Sequence, residues 1–575
     1  MSAAKKFASD FLTFLNDAAT PFHAVDEAKS RLTAAGFHEI FEADEWHLDR
    51  TGKYFFTRNG TTIVAFTVGG KFDTDLGGFT VLGAHSDSPC LRIKPVACFK
   101  KGDSLMLNTQ PYGGGLWHTW FDRDLGLAGR VIYRNPGTDD IETKLVRINK
   151  AIARIPNLAI HLSSDRSKFE PNLQDHAQAI LTMSPTLMKM QPMPGCDSEL
   201  TSRFHPLLLQ LVALEAAIAP SSIMDLELQL IDIQPSSYGG ADDELVISGR
   251  LDNLCSSYQC LRALIDSSED VADQRNIRIL AIFDHEEVGS SSCQGAGSNL
   301  FMDTLNRINE AGLTNGSCTA LMRTLRRSLV ISADMAHGLH PNYSGKHDST
   351  MAPTLNGGLV VKHNCNQRYA TSGKSAVMFR EFAKIANLPV QEFAIRSDSG
   401  CGSTIGPILA TLTGILTVDV GTPQLSMHSI REVMGSQDAF TGYEHFKSAL
   451  KNHPELHDQM LEGGQRPSRV AKKREEKTFA PPPPVVSYNL TAPDRLDPCD
   501  KYNELLAAMP LPSFGDKVYL LKNDSFIIKE WHQCSILNSI AIYLSDFNFI
   551  LCFFAISLYH SHLLKRLAVR PILST

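Results

Sequence analysis

The chain has 575 residues, 43% of them hydrophobic and 20% charged, with a formal net charge of −7. That length holds two or three domains around a large core, and the composition is that of a globular protein. The acidic balance excludes the broad basic face of a general nucleic-acid binder. The 12 cysteines are scattered without a Cys-x-x-Cys pair, so neither a zinc ribbon nor a thioredoxin-like site is suggested. Reduced, mostly buried thiols in a cytosolic protein are expected.

The first residues lack the apolar core of a signal peptide. Phe7, Phe11, Leu12, Phe14 and Leu15 instead recur at helical spacing. Residues 5–35 read as two helices broken at Thr20-Pro21, the second closing at Gly36. Lys53–Arg58 and Thr61–Val68 are strand-like runs joined by Asn59-Gly60, a strong hairpin signal. A third run, Phe79–Ala84, ends in His85-Ser86-Asp87.

From Cys90 to Pro235 short strand-like runs (Ser104–Asn108, Leu127–Tyr133, Lys144–Ile148) alternate with glycine-rich turns, and Asp165–Pro194 reads as a long loop. This block is expected to be a β-rich insertion. Patterns of α/β type resume near Leu226, with strand-like Leu226–Ile233, Leu245–Ser248, Ile277–Phe283, Ser328–Ala333 and Gly414–Val420 and helical Leu254–Ile265 and Ser375–Ala386. The alternation predicts an α/β fold: a mixed, largely parallel sheet flanked by helices. The expected division is catalytic domain at 1–90 and 236–450, inserted β-rich domain at 91–235, and an irregular tail at 451–575. In the tail, Arg466–Lys477 is a charged run and Pro481–Pro484 a proline stretch, both read as linker. The apolar run Phe547–Tyr559 is short of the ~20 residues of a spanning helix, and Asp546 separates it from Ile540–Leu544.

Chemistry concentrates in five segments at the ends of expected strands: His85-Ser86-Asp87, Asp252-Asn253, Glu286-Glu287, Asp334–His337 and Met427-His428-Ser429. Each alone suits a structural role. Asp252-Asn253 could cap a helix, and the glutamate pair could be a solvated loop. Together, on one edge of a parallel sheet, they offer imidazoles and carboxylates for two Zn²⁺ sharing a bridging carboxylate. Two zinc ions ~3.5–4 Å apart would clamp a water and polarise a carbonyl. A carboxylate outside the metal sphere must then move the water's proton, and another should fix a ligating imidazole; Asp87, two residues from His85, is placed for that.

The segments His85–Pro89, Gly249–Asn253, Asp284–Ser290 and Ser332–His337, with Asn366–Thr371 and Met427–Glu432, closely resemble the motifs of aspartyl aminopeptidases. These belong to the di-zinc aminopeptidase family that also includes vacuolar aminopeptidase I. The resemblance spans residues 5–450 with every motif in order and stops before the tail. It implies two Zn²⁺ per subunit: one held by His85, Asp252 and Asp334, the other by Asp252, Glu287 and His428. It further implies Glu286 as general base and acid, Asp87 as the support of His85, and His337, Lys362, Tyr369 and Asp334 at the substrate. A histidine matching His161 reaches the neighbouring subunit's site, the insertion is a dimerisation domain, and the assembly is a cytoplasmic homo-oligomer, typically a dodecamer.

The activity implied is release of N-terminal Asp or Glu from peptides, with Lys362 meeting the acidic side chain; alone, Lys362 would read as a solvated surface lysine. The competing readings are a broader-specificity aminopeptidase, a related di-zinc deacylase, or a tail-governed scaffold or membrane-tethered pseudoenzyme. No nucleic-acid partner is implied, and no membrane partner unless Phe547–Tyr559 anchors the chain.

Overall fold

In the computed structural model, residues 4–73, 76–311 and 319–460 are described in full, and the backbone alone of 3, 518–522 and 525–529. The chain divides into two units, Met1–Ala471 and Lys472–Thr575. Of the second, the described backbone is an antiparallel pair, Val518–Lys522 with Ser525–Lys529. The charged run, the proline stretch and the apolar run Phe547–Tyr559 lie outside the described residues. Among the described residues no helix is long and apolar enough to cross a membrane.

The first unit is built on a nine-stranded mixed sheet. Its centre is four parallel strands in the spatial order Ile277–Phe283, Phe79–His85, Leu329–Ala333 and Leu416–Gly421. The hairpin Lys53–Arg58/Thr62–Val68 adds antiparallel on one side, with Asn59 and Gly60 both at positive φ in its turn. Leu359–His363 adds antiparallel on the other. The central strands are mostly apolar and buried along their length because both faces are covered. Leu280 and Ile282 point into the cluster formed with helices Ala3–Asp17, Leu251–Ser267 and Ser436–Met460. Ile277, Ile279, Ala281 and Phe283 point into the opposite cluster with Leu300–Glu310 and Ile405–Thr413. One charged residue in this strand is fully buried: Arg278 donates to Leu450 O at 3.1 Å and to Asp270 at 2.7 Å, which offsets the cost of burying its charge.

The predicted helix break is present. Pro21 opens the second helix and Thr20 caps it, since a proline at the first helical position loses no hydrogen bond. Residues 90–232 form a separate six-stranded sheet, ordered Ile141–Ala153, Leu125–Arg134, Ile223–Asp232, Cys90–Lys101, Ser104–Tyr112, Ala179–Thr182. Two expectations are corrected here. The stretch 165–194 is not a loop throughout: it supplies the edge strand Ala179–Thr182 and two short helices. The strand near Leu226 pairs along its length with Leu125–Arg134 in this antiparallel sheet and does not open the α/β layer.

A third, five-stranded sheet joins Ser237–Gly239, Leu245–Ser248, Glu432–Gly435, Pro423–Leu425 and Ala336–His337. Leu245–Ser248 therefore belongs here and not to the main sheet. Its four residues alternate half-buried and buried, a pattern that does not say which sheet does the burying.

Candidate metal centre

Three of the five segments lie where a parallel sheet puts them. His85 ends the strand Phe79–His85, Asp334 follows Leu329–Ala333, and Glu286-Glu287 follow Ile277–Phe283. The other two do not. Asp252 follows Leu245–Ser248, and His428 lies between Pro423–Leu425 and Glu432–Gly435, both in the five-stranded sheet. The expectation that one parallel-sheet edge supplies all five is thus corrected: two sheets converge on the site.

The two glutamates lie beyond the strand, on a turn. Glu286–Val288 is a single 3₁₀ turn bracketed by His285 (φ 64°) and Gly289 (φ 96°). Asp252 itself departs from helical geometry (φ −83°, ψ 106°) at the mouth of its helix, and its peptide to Asn253 is cis.

The ligand-type atoms of His85, Asp252 and Glu287 all lie within 4.8 Å of one another. Nε2 of His85 is 3.4 Å from Asp252 Oδ1 and 3.6 Å from Asp334 Oδ1. Nε2 of His428 is 3.4 Å from Asp252 Oδ2 and 3.4 Å from Glu287 Oε2. Asp252 therefore offers one oxygen to each imidazole, as a bridging carboxylate would. Glu286 Oε2 stands 3.9 Å from His85 Nε2.

Asp252 Oδ1 and Glu287 Oε1 are buried and have no hydrogen-bond partner among the described residues. Buried carboxylate oxygens without a donor are costly, so this donor set fits a metal ion.

The electrostatics carry the same mark. Burial pushes the Asp252 carboxyl up, but the His428 and His85 rings outweigh it and hold it below the carboxylate range. Burial works against a charged His85, yet Asp252, Asp334 and Asp87 raise it well above its usual value. Against burial, Asp252 and Glu287 raise His428 to about 10. Burial and Asp252 push Glu287 well up, and burial lifts Glu286 to about 8. A surplus of buried carboxylates holding protons on two imidazoles is what a dication relieves.

Asp87 is fully buried beside His85. Its backbone oxygen is 3.0 Å from His85 Nδ1 and its carboxylate 3.4 Å. The same carboxylate accepts the backbone N–H groups of Glu286 and Glu287, each at 3.1 Å.

Lys362 is buried on Leu359–His363, not a solvated surface lysine. Its Nζ donates to Met335 O at 2.9 Å, is 3.7 Å from Asp334 Oδ2 and lies 5.2 Å from the Tyr369 ring centre. His337 reaches solvent beside Phe393; crowding by protein and the nearby Lys362 charge lower its pKa. Tyr369 is buried. His161 is on the exposed turn Ile160–Leu162 of the β-rich block, next to exposed Leu158, Ile160 and Leu162.

One buried residue was missed. Glu432 accepts the backbone N–H of His428 at 2.8 Å with Oε1 and that of Asp252 at 3.0 Å with Oε2. A single carboxylate thus ties together two ligand-bearing turns. Its sequence signal was its place four residues after His428, within the motif already singled out.

Residues 14–449 match the family described as Aminopeptidase I zinc metalloprotease (M18). The chain belongs to the M18 aminopeptidases. Among similar M18 proteins, the probable aspartyl aminopeptidase of Ricinus communis is 47% identical over 472 residues, 78% of this chain and 96% of its own length. The aspartyl aminopeptidase of Caenorhabditis elegans is 42% identical over 463 residues, 78% of this chain and 97% of its own. A chain of the cryo-EM structure of the Ape4 and Nbr1 complex superposes with a TM-score of 0.76 at 39% identity, covering 80% of this chain and 88% of that one. The Saccharomyces cerevisiae mApe1 dodecamer gives 0.71 at 28% identity, covering 79% and 98%. This M18 chain is a zinc metallo-aminopeptidase by family.

Proposed function

We propose that this chain releases N-terminal Asp and Glu from peptides, using two zinc ions held by His85, Asp252 and Asp334 and by Asp252, Glu287 and His428. The observation that carries the metal reading is the pair of buried, unpartnered oxygens on Asp252 and Glu287 between two imidazoles. The acidic preference is supported by the buried Lys362 ammonium beside Asp334 and by the relatives called aspartyl aminopeptidases.

Bound zinc supplies Lewis acidity toward the scissile carbonyl and acidifies the attacking water. Glu286 is the proton carrier: it takes the water's proton at its carboxylate and returns it to the departing amine nitrogen. Its side chain is 15% exposed against 5% for Glu287, which leaves it open to the substrate side. Asp87 orients His85 and, through the two amide N–H groups it accepts, the turn carrying both glutamates. Lys362, His337 and Tyr369 line the substrate side, and His161 acts across a subunit boundary. The assembly we propose is a cytoplasmic homo-oligomer, a dodecamer like the mApe1 neighbour.

One observation favours a second reading. Lys362 already has Asp334 and Met335 O as partners, so it could serve only to position Asp334, leaving a broader-specificity aminopeptidase. The deciding experiment compares full-length purified protein on peptides beginning with Asp, Glu and Leu, before and after a chelator and after zinc is restored. We expect chelator-sensitive, zinc-restored release of Asp and Glu with Leu much slower; equal rates for Leu would sink the acidic preference, and chelator-resistant release the metal reading.

A further inference from the structure

Both imidazoles of the centre take their orientation from one segment of the six-stranded sheet. The strand Ser104–Tyr112 ends in Tyr112, followed by Gly113, Gly114, Gly115 and Leu116. The Tyr112 hydroxyl donates to Asp87 Oδ2 at 2.6 Å. Asp87 in turn faces Nδ1 of His85 and accepts the Glu286 and Glu287 amides. Two residues on, Gly114 O accepts the Nδ1 hydrogen of His428 at 2.8 Å, and the Leu116 N–H donates to His428 O at 2.9 Å.

A carbonyl can only accept, so Gly114 fixes a proton on Nδ1 of His428, and Nε2, which faces Asp252 and Glu287, is the nitrogen that would give up its proton to a metal. The segment is itself clamped. The Arg92 guanidinium, from the neighbouring strand, lies 3.6 Å from the Tyr112 ring centre, a cation–π contact. Gly113 has φ +74°, and a Cβ there would come within 3.1 Å of the Glu287 Cβ, so only glycine lets the backbone approach that side chain.

We infer that Tyr112–Leu116 is a positioning strap, through which the six-stranded sheet sets both halves of the metal centre: Tyr112 by way of Asp87, Gly114 directly on His428. None of these residues faces the reacting atoms, and their effect is on how well the ligands are presented. Outer partners of metal ligands typically matter by about 10- to 100-fold in affinity. The proposal rests on the zinc-site reading above.

The test is competition titration of zinc into metal-free full-length protein with a chromophoric chelator, read with the melting temperature of the metal-free form. Tyr112→Phe keeps the ring on Arg92 and removes the hydroxyl. Tyr133→Phe removes the equivalent tyrosine–carboxylate bond, to Glu142, in the same sheet and serves as the control. We expect Tyr112→Phe to weaken zinc about 10- to 100-fold, with Tyr133→Phe like wild type. Gly113→Ala should weaken it as well, by pushing on Glu287; if that variant does not fold, Tyr112→Phe alone still decides. Zinc affinity of Tyr112→Phe within twofold of wild type, or an equal loss in Tyr133→Phe, overturns the strap. A wild-type chain that takes up no zinc overturns the metal reading beneath it.

Discussion

Lys362→Met separates the two roles open to the buried ammonium. Methionine keeps the unbranched apolar stem of lysine as far as Cε and removes the charge and the donor. Lys362 Nζ stands 3.7 Å from Asp334 Oδ2, with both side chains largely buried (3% and 12% exposed). Two unit charges at that distance interact by about 4–5 kcal/mol at an effective dielectric near 20. A substrate carboxylate received at a similar distance would lose a comparable amount. At ~1.4 kcal/mol per tenfold that is about 10³ in kcat/KM. A substrate with N-terminal Leu has no such contact to lose and would suffer only what Asp334 suffers. The assay is kcat/KM for Asp- and Leu-anilides on wild type and Lys362→Met at equal zinc loading. We expect the Asp/Leu ratio to collapse by two to three orders of magnitude, by the same Coulomb arithmetic. Both substrates falling by one common factor would refute the reasoning and leave Lys362 as a support of Asp334.

Glu286→Gln should lower kcat by about 10²–10⁴, the usual worth of a positioned acid–base group, with zinc uptake near wild type by metal analysis. Asp87→Asn, which disturbs the acceptor of the Tyr112 hydroxyl and of two backbone N–H groups, should cost about 10- to 100-fold in zinc affinity by chelator competition. Acid should destabilise the fold through two histidines on the helix Ser436–Met460. Burial lowers His445, whose Nε2–H donates to Phe379 O, from 6.5 to about 4, and lowers His453, set between Thr80 and Asn276 with His457 and Arg275 nearby, well below 6.5. Because the folded pKa lies below the unfolded one, the unfolded chain takes protons first. Stability is full above pH 6.5 and lost as pH falls from there toward 4, by about 3 kcal/mol for His445. The raised carboxyls of Glu286 and Glu287 titrate with the opposite sign in the metal-free protein, so the measurement is the difference between wild type and His445→Gln in urea unfolding at pH 7 and pH 5. Wild type is expected to lose more stability in acid than the variant, and equal losses would refute the assignment.

How far the site could be read from the chain differs residue by residue. Ile277–Phe283 was legible with its exact ends, because Ile277 and the apolar run Ile279–Phe283 demand cover on both faces and the turn after them breaks the run. His85, Asp334 and the glutamate pair followed from that, since strand ends at one edge are a local consequence of parallel pairing. Tyr112 and Glu432 were illegible as supports. Their contacts to Asp87 and Asp252 span 25 and 180 residues of sequence, which neither periodicity nor composition reports; only the bond of Glu432 to His428, four residues away, is local.

The sequence by itself determined the elements: the helix break at Thr20-Pro21, the Asn59-Gly60 hairpin, the buried central strands, and which residue types stand ready to bind metal. These rest on backbone preference and hydrophobic period, which act over a few residues. Only the tertiary structure decided that Asp252 and His428 arrive from the five-stranded sheet, that Leu226 belongs to the six-stranded one, and that Lys362 is buried against Asp334. Strand pairing across long separations and the burial of charge depend on which surfaces meet, and that is a property of the whole fold.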